Sequence, residues 1–233
     1  MRRLISCLAI CALLAPPALA ADTPLSRDLA LVNRLSWGET AQGDTLGGQS
    51  ARTWLEQQLH PSADDGLPPQ VRAWIADMDI SRTPLEEIAA ETRQMQMDIR
   101  EAKRDPSGQK DQAAAKADQG DLSALRKPYR QKLRDLGLEA QTRSLLRDLY
   151  SRNQLKEQLT WFWVNHFNVY GRKRQVAALV GDYEEHAIRP HVLGRFRDLL
   201  VATVFHPAMI QYLDNQQNAA DKINENYARE IME

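Results

Sequence analysis

Cysteine is nearly absent from this 233-residue chain, and its two copies, Cys7 and Cys11, both fall within the first twenty residues. Once those residues are removed, disulfides, thiolate metal sites and cysteine nucleophiles are all excluded. A cationic excess is lacking too. With 30 Lys and Arg against 31 Asp and Glu, the formal net charge is −1 at pH 7, whereas nucleic-acid binders usually carry a marked basic surplus. Beyond the N-terminus no apolar run approaches the roughly 20 residues of a spanning helix. A phosphate-cradling glycine loop, a Gly-x-Ser-x-Gly elbow and a dinucleotide fingerprint are missing as well. So are strand alternation, hairpin signals and any internal repeat with a period of roughly 20–50 residues.

What is present begins with an export signal. Met1-Arg2-Arg3 is a short cationic start, Leu4 to Leu14 is apolar, and Pro16-Pro17 precedes Ala18-Leu19-Ala20. A charged start, about 7–15 apolar residues and an A-x-A end predict a secretory signal peptide, residues 1–20, cleaved after Ala20. The apolar run is too short to span a bilayer. Arg2-Arg3 lacks the flanking residues of a twin-arginine signal, and Leu4-Ile5-Ser6-Cys7 precedes the apolar core, unlike a lipoprotein box. The expected mature chain, residues 21–233, has no cysteine and, without Arg2 and Arg3, carries 28 basic against 31 acidic residues, about −3. Its expected location is periplasmic or secreted, with no span in the mature part and no nucleic-acid partner.

The apolar spacing is helical almost throughout, which predicts an all-α, multi-helix orthogonal bundle. Leu29, Val32 and Leu35 share one face; Ser50 is placed to cap a helix carrying Trp54, Leu55 and Leu59 that stops at His60-Pro61; Pro68-Pro69 opens another with Val71, Trp74 and Ile75. Thr83-Pro84-Leu85-Glu86 has capping-box spacing and starts a helix expected to reach about Arg104. Residues 105–120, rich in Gln, Lys, Asp and Ala, hold no large apolar residue and are expected to be a polar, mobile insertion. The helical pattern resumes at Leu122.

Three stretches carry candidate chemistry. Leu155, Leu159, Phe162, His166 and Val169 fall on one stripe of a helix that is apolar nearly all round in its C-terminal half, which predicts burial. His166 on that stripe is either a metal ligand or acid–base group, or a core histidine bonded to a carbonyl or an asparagine. Asp182 to His191 packs three carboxylates, two imidazoles and Arg189 into ten residues. His186 and His191 are candidate metal ligands, but five residues apart they do not share a face as an i,i+4 zinc pair would, and ion-paired surface is the competing account. Glu230 and Glu233, spaced i,i+3, project from one helix face and are either site carboxylates or solvent-exposed ones. No cofactor can be named from these residues.

An ordered run of motifs resembles a known family. Trp163-Val164-Asn165-His166-Phe167, Ile188-Arg189-Pro190-His191-Val192-Leu193-Gly194-Arg195-Phe196, His206-Pro207-Ala208-Met209, Tyr212-Leu213-Asp214-Asn215 and Asn224 to Glu233 are similar to the bacterial domain of unknown function 1800 family, as are Asn33 to Gly38 and Trp54 to Leu59. The resemblance implies a mainly helical exported protein without a settled activity, related by context to an exported sulfatase-like partner. It also implies a longer protein, of which this chain is the N-terminal portion. The family pattern usually has a second histidine where Val164 stands here, which weakens a metal or acid–base role for that segment. Three functions remain open: an envelope hydrolase using His166 with Glu230 and Glu233, a non-catalytic binding or assembly factor, and a fragment that needs its missing half.

Overall fold

The computed structural model describes residues 24–38, 46–104, 112–173, 175–220, 223 and 225–232, with the backbone alone at 24–26 and 112–121. The proposed signal peptide lies outside the described residues. The architecture is all-α. Among the described residues eleven α-helices follow in order: α1 Pro24–Leu35, α2 Ala51–Leu59, α3 Pro69–Asp77, α4 Asp79–Arg82, α5 Leu85–Arg104, α6 Gln112–Tyr150, α7 Gln154–His166, α8 Val176–Asp182, α9 Phe196–Phe205, α10 Pro207–Tyr212 and α11 Asn226–Met232. Between α8 and α9 the chain winds as a π-helical turn, Tyr183–Ile188, and a 3₁₀ turn, Arg189–His191.

Local chemistry sets several boundaries. Ser50 caps α2, its hydroxyl accepting from the Thr53 N–H at 3.2 Å. Pro69 opens α3, where a missing N–H costs nothing. At 39 residues α6 is the longest element, about 58 Å at 1.5 Å per residue, and it continues through Pro128. Its first turns fall in the stretch expected to be an insertion: residues 112–120 are helical, while 105–111 lie outside the described residues.

Helix α5 folds back along α6, with Ile88 against Leu136 and Lys132 paired to Glu91 at 3.0 Å. Helix α8 lies across both. Gly181 permits this approach, since a Cβ there would sit 3.2 Å from Ile80 Cδ1 and 3.3 Å from Ala140 Cβ. The main core joins α8, the π turn, α9 and α10 through Val176, Leu179, Tyr183, Ile188, Leu199 and Met209. Smaller clusters hold α1 to α2 around Val32 and Trp54, and α3 to α6 around Val71 and Leu146.

The front of the chain is fastened to the α6–α7 junction largely by amides. Buried Gln58 donates to the Arg152 carbonyl at 3.0 Å and accepts from the Leu155 N–H at 3.1 Å. Asn153 donates to the Ser62 carbonyl at 3.1 Å, and Gln158 to the Ser36 carbonyl at 2.9 Å. These bonds satisfy backbone groups at helix ends that burial would otherwise leave unpaired.

Burial along α7 departs from the expected stripe toward its C-terminal end. Leu155 is buried and Leu159 half-buried, but Phe162 and His166 face solvent, and the helix ends at His166, before Val169. The inward residues are Leu155, Glu157 and Thr160. Glu157, in the N-terminal half of α7, reaches the buried Arg189, while Phe162 and His166 lie on the same stripe as buried Leu155 but farther along the helix, where they are exposed.

Candidate functional site

Glu157 is 2% exposed and pairs with Arg189, itself 6% exposed, through Arg189 Nη1. Arg189 also meets Glu184 at 3.0 Å and lies 3.5 Å from Glu185. Arg147 pairs with Glu185, and Arg143 Nε lies 3.7 Å from the same carboxylate while its Nη2 donates to the Gly181 carbonyl. Three arginines, two from α6 and one from the 3₁₀ turn, thus face three glutamates, one from α7 and two from the π turn.

The π turn makes this knot possible. The Arg189 N–H bonds the Glu184 carbonyl five residues back, so side chains five apart stack, and Glu184 comes within reach of Arg189. A wide turn also suits the following Pro190, which lacks an N–H and clashes with the fourth carbonyl behind it in a tight helix.

Charges in the knot sustain one another. Burial acts against both ions, yet the Arg147 hydrogen bond and the Arg147, Arg189 and Arg143 charges hold Glu185 below the usual carboxylate range, and Glu157, Glu184 and Glu185 hold Arg189 above its ordinary value. Asp148, at the edge of the knot, goes the other way. Burial, with Glu157 and Glu184 near, pushes it up to about 6, against the Trp37 hydrogen bond and Arg189.

Beside the knot, Asp182 stands between two imidazoles. His206 Nδ1 accepts from the Ala208 N–H at 3.1 Å, so the ring's proton sits on Nε2, which donates to Asp182 Oδ2 at 2.9 Å. His186 Nδ1 lies 2.6 Å from Asp182 Oδ1, and its side chain is largely exposed. Burial raises Asp182, but the His206 and His186 hydrogen bonds more than offset this and leave it below its ordinary value. The cavity at Asp182, lined by Ile80, Thr83, Leu85, Ile88 and Ala178, measures about 10 Å³, which is water-sized. His206 is therefore a cap of α10 and a brace for Asp182. The sequence hint was a histidine directly before a proline at a helix start, and it was missed.

Across α7 lies an aromatic surface. Trp161, Phe162 and Phe196 are each about half exposed, at 52%, 49% and 55%. Trp163 bridges Phe162 and Phe196, with ring centroids at 5.0 and 5.7 Å. His166 stacks on Phe162 at 6.1 Å and meets Phe167 edge-on at 4.9 Å. Trp37 packs edge-on against Trp161 at 5.7 Å, on the flank where its indole also donates to Asp148.

The sequence candidates do not gather. His166 is an exposed member of the aromatic surface, not a core histidine, and stands at the C-terminal end of α7, beyond the part of the stripe that is buried. His186 serves Asp182, and His191 is half-buried in the 3₁₀ turn. Glu230, on α11, is exposed, 3.8 Å from Arg229, and Glu233 lies outside the described residues. Among the described residues no three His, Cys, Asp or Glu side chains are grouped to hold a metal ion. The knot residues Arg143, Arg147 and Asp148 were missed because their partners lie far off in sequence; only the Glu184, Glu185 and Arg189 cluster was visible.

No curated protein and no solved structure matches the chain. A family model does: residues 30–233, spanning both the knot and the aromatic surface, match Protein of unknown function (DUF1800), and the chain belongs to that family.

Proposed function

We propose that this is an exported envelope protein that works by binding through the aromatic surface of α7 and α9, and not by catalysis at His166. One observation carries this reading. The strongly interacting titratable groups are turned inward and neutralise one another, while half-exposed aromatic rings face solvent. An enzyme site needs polar groups aimed at an open pocket, whereas large exposed apolar area marks recognition surfaces. The hydrolase alternative has little support, since the ring neighbours of His166 are Phe162, Trp163 and Phe167 and the carboxylate of Glu230 lies by Arg229. The exported sulfatase-like partner that the family resemblance implies is the competing occupant of this surface.

Site-specific photocrosslinking in a bacterial host tests this. The full chain carries a photoreactive residue at position 162 or, as a control, at exposed Met97 of α5. The expected result is a periplasmic product beginning at Ala21 that forms adducts from 162 well above those from 97. Retention in the cytoplasm, or equal adducts from both positions, overturns the proposal.

A further inference from the structure

We propose that the aromatic surface of α7 and α9 seats on an anionic lipid bilayer, as a peripheral contact; this rests on the binding reading above and names its partner. The half-exposed rings of Trp161, Phe162 and Phe196 are the types that settle at the headgroup–acyl boundary. Charge supplies the complement. From Gln158 to Gly181 the chain has no Asp or Glu but carries Arg172, Lys173 and Arg174. Arg172 is exposed two residues after exposed Tyr170, and Arg197 is exposed beside Phe196. Neither forms a salt bridge among the described residues, whereas Lys173 pairs with Asp214 at 2.8 Å and Arg195 with Asp198 at 2.8 Å. The stretch that carries Trp161, Phe162 and Tyr170 is free of acid, and the two arginines follow Tyr170 and Phe196 in the chain, so each adds to the attraction for anionic headgroups near the surface.

Other occupants fit less well. Sugar recognition requires amides or carboxylates for the hydroxyls, but the Asn165 amide donates to the Trp161 carbonyl at 2.7 Å, no carboxylate lies in the stretch, and Phe162 and Phe196 have no polar end. No described helix is long and apolar enough to cross a membrane, so attachment is by the surface.

The exported chain is sedimented with large unilamellar vesicles of phosphatidylglycerol and phosphatidylethanolamine, or of phosphatidylcholine alone. Binding is expected to the anionic vesicles, weakening as salt rises. The F162S/F196S variant is expected to lose about tenfold or more in partitioning, and R172Q/R197Q to lose the preference for anionic vesicles, both with unchanged circular dichroism. Brominated acyl chains should quench Trp fluorescence, and W161F should reduce that quenching. Vesicle binding that is absent, or equal in wild type and F162S/F196S, overturns the lipid assignment. Quenching unchanged by W161F does so too, as does preferential binding of soluble dextran sulfate at the same arginines without quenching. If protein adducts from position 162 persist in that case, the binding reading stands without the lipid; if they also vanish, both fall.

Discussion

The two faces of α7 are built in opposite ways. Its inner face presents Glu157 and Thr160 to the interior, and its outer face presents Trp161, Phe162 and His166 to solvent. In an ordinary amphipathic helix the apolar side would be the buried one. The stripe that buries Leu155 leaves Phe162 and His166 exposed, so burial along α7 changes with position on the helix and a desolvated ion pair sits inside beside the buried leucine. Turning Glu157 out would take from buried Arg189 its most deeply buried partner and leave it Glu184 and Glu185 alone.

The sharpest way to break that arrangement is to remove Glu157. Glu157→Ala leaves Arg189 buried with Glu184 and Glu185 but without its most deeply buried partner. The expected destabilisation is about 3–5 kcal/mol, read as a lowered midpoint in urea unfolding or as loss of the cooperative transition. Replacing Glu157 and Arg189 together by methionine should cost clearly less than Glu157→Ala, because no unpaired charge remains. If Glu157→Ala changes stability by less than about 1 kcal/mol, the knot does not anchor α7 in the fold.

Why the sequence revealed one face and not the other follows from range. Helix periodicity is local, so the all-α architecture, the Ser50 cap, the stop at His60-Pro61 and the start at Pro69 were all legible. Glu157 in isolation is one polar residue in an apolar helix, and its partner Arg189 is 32 residues away, beyond any local pattern. The stripe through Phe162 and His166 was therefore read as core. Residues 112–120 lie in the expected polar insertion and are helical there. Ala113, Ala114, Ala115 and Ala117 are strong helix formers; the absence of large apolar residues there speaks to the core, not to the helix. The Glu184, Glu185 and Arg189 cluster was visible as composition, but its inward direction depends on a π turn that no spacing rule announces.

Asp148 offers a smaller test, at the edge where the knot meets the aromatic surface. Its pKa in the folded chain is pushed up to about 6 from an ordinary 3.8, so the folded state holds this proton more tightly than the unfolded one. Stability from this group falls as pH rises between about 4 and 6, and the penalty is complete above that. Asp148→Asn removes the penalty, and its amide oxygen can still accept from the Trp37 indole. The expected gain at pH 7.5 is about 1 kcal/mol after allowing for solvent screening of a partly exposed group, falling toward zero at pH 4. Thermal melts at both values read the difference; a gain of equal size at both would show that charge is not the cause.

The smallest expected effect is on the outer face. Phe162 is half exposed, and its contacts are with Trp163 and His166 on the same helix. Phe162→Ser removes these contacts but uncovers no buried polar group, so stability should change by no more than about 0.5 kcal/mol. The informative quantity is the contrast between variants. If the outer face serves recognition, Phe162→Ser should abolish adducts at neighbouring photoreactive positions while the unfolding midpoint stays fixed, whereas the double methionine variant at 157 and 189 should shift the midpoint and leave adduct formation by the folded fraction intact. A Phe162→Ser variant that loses 2 kcal/mol or more would place this ring in the packing of the fold, and the aromatic surface would then be structural, with its exposure incidental to binding.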